Sequence, residues 1–214
     1  VEKMSPQKGR VAFLVNYNDR ELYTERQWEA LQENLKELKK REITVVLGYN
    51  VYKPDFDMTE VIRKTKELGS QRLRLSIANP SMGGGTQVLK LEEIREAVHK
   101  LTQISKKLWD ETEIDAFFDC PIAPCLVEQE DYKYMISMNR IRNQCSPMLF
   151  VKSDLTLSHC YTTDGLRDSI YLKECEDFQT AKIMSEQLYK KIQNKVESWK
   201  QCKTCTNIYR TTDI

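Results

Sequence analysis

The chain has 214 residues, 33 Lys and Arg against 32 Asp and Glu, a formal net charge of +1 and 40% hydrophobic residues. That length admits one large domain or a domain with a small appendage, and that composition is ordinary for a globular protein. Near-neutral charge excludes a bulk pull toward nucleic acid or an anionic membrane, and apolar runs such as 11–15 are too short to span a bilayer. The opening VEKMSPQKG lacks the apolar core of a secretory signal. The expected compartment is therefore the reducing cytoplasm, with no nucleic-acid or membrane partner. The internal Met4 and the abrupt start at Val1 suggest a piece of a longer protein.

The first half alternates strand and helix signals. VAFLV at 11–15 is a continuous apolar run, as in a strand buried on both faces. The segment 24–42 sets Trp28, Leu31, Leu35 and Leu38 on one helical face, with Thr24 as its cap and Lys39, Lys40 and Arg41 at its negative end. ITVVLGY at 43–49 is a β-branched strand. A short helix over 58–69 closes at Gly69. RLRLSIAN at 72–79 alternates Leu73, Leu75 and Ile77. After a loop at 79–87, a helix over 90–112 carries Leu91, Ile94, Val98, Leu101 and Leu108 inward, and IDAFFD at 114–119 is a fourth strand.

Such alternation implies a parallel sheet with right-handed crossovers, so the fold class is α/β. Ligands of such sheets sit at the carboxyl ends of the strands. Those ends are Asn16, Tyr17, Asn18 and Asp19; then Gly48, Tyr49 and Asn50; then Ser76 to Asn79; then Asp119 and Cys120. The set is polar, small or acidic, which suits a lined edge, although loops are polar in any case.

The second half holds all seven cysteines: Cys120, Cys125, Cys145, Cys160, Cys175, Cys202 and Cys205. In a reducing compartment such a cluster points to metal or redox chemistry, and the odd count opposes full disulfide pairing. A cysteine alone also serves as a small buried hydrophobe. The stretch 145–160 reads as a hairpin with its turn at Lys152, Ser153 and Asp154, which brings Cys145 near Cys160. A turn follows at Asp164 and Gly165. An amphipathic helix over 177–201 turns Ala181, Met184, Leu188, Ile192, Val196 and Trp199 inward and leads into Cys202 and Cys205. Four such thiolates suit Zn²⁺ or an iron–sulfur cluster.

His99 reads as a half-exposed helical residue. His159 is next to Cys160 but points to the opposite strand face. MGGGT at 82–86 lacks the lysine of a phosphate-binding loop and reads as a connecting loop.

Taken together, CSPMLFVKSDLTLSHC, a helix and then CKTC resemble the SPASM or twitch extension of radical S-adenosylmethionine enzymes. FDCPIAPC resembles the segment just after their barrel. The resemblance implies that 1–119 is the last three units of a partial (β/α) barrel. It also implies that 120–214 is a small α+β module. Asn16 and Asn18 would approach the cofactor's ribose, Gly48 and Asn50 its adenine, with Ser76 and Asn79 close by. Cys145, Cys160, Cys202 and Cys205 would hold an auxiliary [4Fe–4S] cluster, with Cys120 and Cys125 as further candidate ligands and Cys175 as a buried structural thiol. The family's Cys-x-x-x-Cys-x-x-Cys is absent here and would lie upstream. The expected parent abstracts hydrogen from a peptide or small-molecule substrate and takes electrons from a donor. This chain alone should be inactive. The alternative is a non-enzymatic, zinc-stabilised α/β domain that binds a partner.

Overall fold

The structure is a computed structural model that describes residues 12–78, 88–120, 122–140, 149–158 and 170–195. These fall into two compact units, one within 1–78 and 88–143 and the other within 79–87 and 144–214.

The first unit is an α/β layer built on four strands: β1 (Ala12–Asn16), β2 (Thr44–Val51), β3 (Arg72–Ile77) and β4 (Asp115–Phe118). Helices α1 (Glu25–Lys40), α2 (Thr59–Glu67) and α3 (Leu91–Thr112) connect them, and α4 (Gln129–Ser137) follows. All three strand pairs are parallel and the order is sequential, β1-β2-β3-β4. With right-handed crossovers, a sequential order puts α1, α2 and α3 on one face of the sheet.

Burial follows from that arrangement. Val45, Leu47, Tyr49 and Val51 of β2 and Leu73 and Leu75 of β3 are buried, as are Leu35 and Leu38 of α1, Val61 of α2 and Val98, Leu101 and Leu108 of α3. Trp28, Leu31 and Ile94, expected inward, are only half-buried. VAFLV does not form a strand buried on both faces. Phe13 and Val15 are half-buried while Leu14 is 54% exposed. The sheet therefore has a helix-covered face and an opposite face, and β1 lies at its edge.

Helix ends follow the expected chemistry. The Thr24 hydroxyl accepts from the Gln27 amide at 3.3 Å, and the Gln27 side chain accepts from the Thr24 amide at 2.9 Å. This reciprocal box satisfies two amides of the first turn. Gly69 has φ +67° just beyond α2, the left-handed position glycine adopts without strain.

In the second unit β5 (Phe150–Val151), β6 (Thr156–Ser158) and β7 (Ile170–Tyr171) form an antiparallel sheet in that order. Helix α5 (Phe178–Lys195) follows, with Ala181 and Ser185 buried. The hairpin turns where the sequence places it, but β7 is a third strand that its two residues did not signal. In the turn, the Leu155 amide donates to the Lys152 carbonyl at 2.9 Å. Leu155 has φ +63° and is 54% exposed. Hairpins of this kind usually place glycine at the left-handed residue. Leu155→Gly is expected to raise stability by roughly 0.5–1 kcal/mol, measured by urea unfolding, because it removes left-handed strain and no buried contact. A lower transition midpoint would contradict this.

Candidate functional site

Side chains alternate across a strand, so Leu14, Asn16, Val46, Gly48, Asn50, Arg72, Arg74, Ser76, Phe117 and Asp119 share the face away from the helices. The register sets them in rows. Asn16 is beside Gly48, Gly48 beside Arg74, Arg74 beside Phe117, and one row further on Asn50 is beside Ser76. Toward the amino ends of the strands the face brings apolar Leu14 and Val46 together with an Arg72–Asp115 ion pair at 3.7 Å, and its carboxyl ends are polar.

Arg74 organises the polar end. Its Nη1 donates to Asp119 Oδ2 at 2.6 Å, and its Nη2 donates to Asn16 Oδ1 and to Asn50 Oδ1, each at 2.9 Å. The side chain lies over Gly48, where a Cβ would stand only 2.6 Å from Arg74 Nε. Its side chain is 13% exposed and that of Asp119 28%. Two buried atoms of this pair, Arg74 Nε and Asp119 Oδ1, have no hydrogen-bond partner. The amides continue the network. Asn18 Oδ1 accepts from the Asn50 amide at 3.0 Å and from Asn50 Nδ2 at 3.1 Å.

The loop after β1 is held on both sides. The Tyr23 hydroxyl accepts from the Asn18 amide at 3.1 Å and donates to the Asn16 carbonyl at 3.2 Å. The Tyr49 hydroxyl donates to Asp19 Oδ1 at 2.6 Å, the Tyr52 hydroxyl lies 2.9 Å from Asp19 Oδ2, and Lys53 Nζ pairs with the same oxygen at 2.9 Å. Burial works to raise the Asp19 pKa, but the hydrogen bonds from Tyr49, Lys53 and Tyr52 outweigh it and hold the carboxyl below the usual range. The Tyr49 hydroxyl is pushed upward, chiefly by burial and then by its bond to Asp19. Asp19 thus anchors the loop as a fixed carboxylate, and Tyr49 stays a donor.

Of the residues singled out from sequence, the structure gathers Asn16, Asn18, Gly48, Asn50 and Ser76 at one end of one face. Asn79, Cys145, Cys160, Cys202 and Cys205 lie outside the described residues, as do His159, the 82–86 loop and the Asp164–Gly165 turn. Cys120 and Cys125 are exposed and are not disulfide-bonded. Cys175 is not fully buried as expected. It is partly exposed, with its Sγ 3.9 Å from Met184 Sδ. Asp119 was among the strand-end residues, and Arg74 is the addition. Its signal was in RLRLS, where arginines alternate with core leucines and so must face away from the core.

His99, Glu128 and Asp131 place a nitrogen and two carboxylate oxygens within 4.8 Å of one another. The buried Asp131 is already satisfied there, by His99 Nδ1 at 2.6 Å, Gln103 Nε2 at 3.1 Å and Lys106 Nζ at 3.1 Å. A metal would meet the Lys106 ammonium at that carboxylate, so the cluster is a clasp between α3 and α4. On the helix side, a concavity of about 490 Å³ lies over Ile62, Ile104 and Leu108, rimmed by Arg63, Lys66 and Lys107. None of the candidate binding or metal-ligating residues read from the sequence lines it.

Among the described residues, no helix is long and apolar enough to cross a membrane. No protein-family model, curated protein or solved structure matches the chain.

Proposed function

We propose that this chain is part of a radical S-adenosylmethionine enzyme. In this reading the first unit forms part of the wall of a partial (β/α) barrel, and the cysteine-rich portion is a SPASM- or twitch-like module for an auxiliary [4Fe–4S] cluster. The observation that carries the reading is the sequential parallel sheet with Asn16, Asn18, Asn50 and Ser76 at the carboxyl end of its helix-free face. A sequential sheet has no point where strand order reverses, so its ligand site is the face and rim that a barrel turns inward.

The donor set fits the cofactor. Carboxamides and a hydroxyl suit ribose hydroxyls and the edge of adenine, and the next two rows supply apolar Phe117, then Leu14 and Val46. Bound in the complete parent, the cofactor would supply hydrogen-abstraction chemistry toward a peptide or small-molecule substrate. This chain's residues would bind and orient: Asn16 and Asn18 through their amide nitrogens, Asn50 by fixing the Asn18 carboxamide, Ser76 through its hydroxyl, and Gly48 by leaving room for Arg74 rather than by touching adenine directly. The chain contains no Cys-x-x-x-Cys-x-x-Cys, so cofactor cleavage is not expected of it alone.

The test is anaerobic reconstitution of the whole chain with iron and sulfide. Uptake of about four irons per chain, with absorbance near ~400 nm, is expected for a four-cysteine cluster. Cys160→Ala and Cys205→Ala should each abolish it. Stoichiometric zinc with no iron uptake, and thermal stability lost to a chelator, would instead favour the zinc-stabilised partner-binding domain.

A further inference from the structure

We propose that Asp119 sets the ligand specificity of this face. As the internal counter-ion of Arg74, it bars anionic groups and leaves a site for a ligand that is neutral or positively charged where it meets Asp119. The charge argument stands on this pair alone; only the placing of a cofactor here rests on the reading above.

A guanidinium has five N–H donors, and a phosphate or carboxylate is best held by two of them in parallel. At Arg74 neither parallel pair is open. Nη1 is engaged by Asp119, Nη2 by Asn16 and Asn50, and Nε is buried over Gly48. Arg74, the one strand cation at the carboxyl end of this face among the described residues, is therefore spent inside the protein. An incoming anion would have to displace Asp119 from a 2.6 Å charge-assisted bond.

What remains unspent has the opposite character. Asp119 Oδ1 is buried and has no donor. A carboxylate oxygen left so is expensive unless something supplies a hydrogen or a positive charge. Across the sheet, Arg74 draws in the oxygens of Asn16 and Asn50, which turns their amide nitrogens away from it. Asn18 likewise spends its oxygen on Asn50. Asn50 Nδ2 is itself taken by Asn18, so the amide donors left are those of Asn16 and Asn18 toward β1, with the buried, undonated oxygen of Asp119 at β4. Its complement is a ligand with hydrogen-bond acceptors at one end and a sulfonium, ammonium or other donor centre at the other. A phosphorylated ligand does not fit.

The test uses the full chain and Asp119→Ala, with sodium formate and inorganic phosphate as probes against chloride at equal ionic strength. Thermal unfolding of the wild type is expected to be the same in all three salts. In Asp119→Ala the vacated space beside Arg74 should take the anion, so formate and phosphate raise the transition. Their apparent affinity should be about tenfold or more above the wild type's, the scale of one hydrogen bond to a charged group. Adding Arg74→Gln should remove the gain. Should Asp119→Ala not fold, Asp119→Asn keeps the shape but removes the competing charge, and it is expected to gain from both anions in the same sense, by less. Wild-type protein that takes phosphate as well as the variants do, or variants that gain nothing from either anion, would overturn the proposal. None of these salts reports on iron uptake, so failure here and failure of the cofactor reading are read separately.

Discussion

Arg140→Ala is expected to destabilise the first unit by about 3 kcal/mol, the low end of the range for breaking a buried ion pair. Arg140 is 1% exposed. Its Nε pairs with Asp115 Oδ1 at 3.0 Å, its Nη1 contacts Ser105 Oγ at 3.4 Å and also the Tyr134 hydroxyl, and its guanidinium lies 4.9 Å from the centre of the Trp109 ring. One side chain thus joins β4, α3 and α4. Removal leaves Asp115 without its buried partner, but the Asp115 side chain is 33% exposed and also lies 3.7 Å from Arg72. Water and Arg72 compensate in part, which argues for the low end. The main chain adds a second role. The Arg140 carbonyl accepts from the Phe118 amide at 2.8 Å and so covers part of the outer edge of β4, an edge that otherwise invites pairing with another chain. Chemical denaturation of Arg140→Ala, Arg140→Lys and Arg140→Met separates the contributions. Lysine lacks the planar fork and is expected to recover little. Methionine restores volume without a charge and is expected to recover more. If alanine costs under about 1 kcal/mol, the arginine is not the junction described.

How much of this was legible beforehand depends on what each residue signals by itself. The four strands of the first unit and the helices between them were legible because apolar spacing changes from period two to period 3.6 along the chain, and because Thr24 and Gly69 mark helix ends by their own chemistry. Helix α4 was missed. Its inward face is short, with Tyr132 and Met135 beside a buried Asp131 whose partners lie on α3, so no long apolar stripe announces it. The exposure of β1 was also misread, since an edge strand and a central one share the same apolar residues and differ only in their neighbours. Arg140 could not have been anticipated. A lone arginine after a helix looks solvated until Asp115, 25 residues earlier, is known to stand beside it. At the candidate site the carboxamides were identified from their places at strand ends. The pair that organises them, Arg74 and Asp119, is 45 residues apart and becomes a pair only once β3 and β4 are adjacent.

Gly48→Ala is expected to cost about 1–3 kcal/mol and to disorder the candidate site, although it adds a single carbon. No backbone strain is involved, since Gly48 sits in the regular ladder between Asn16 and Arg74. The constraint is space. The new Cβ would stand 2.6 Å from Arg74 Nε and 2.9 Å from Nη2, so the guanidinium must lift. Lifting it breaks the bonds to Asn16, Asn50 and Asp119 together, because one rigid planar group makes all of them. A glycine inside a strand signals such a close approach, and here the approaching group is a side chain of the same sheet. A double-mutant cycle gives the decisive measurement. If the cost arises from Arg74, Gly48→Ala will be nearly neutral in an Arg74→Ala background. It could even be mildly stabilising there, since alanine loses less backbone freedom than glycine. The coupling between the two positions should then be about 1–3 kcal/mol, the whole of the single-variant cost. Equal costs in both backgrounds would mean that the glycine serves the backbone and not the arginine. The same cycle bears on ligand selection. With Arg74 displaced, Asn16 loses the bond that sets which end of its carboxamide faces outward, Asn50 keeps only its bond to Asn18, and Asp119 keeps its charge without a counter-ion. The face should then lose its ordered donors while keeping its preference for positive charge. Arg74 thus orders the site, Asp119 sets its sign, and Gly48 makes room for both.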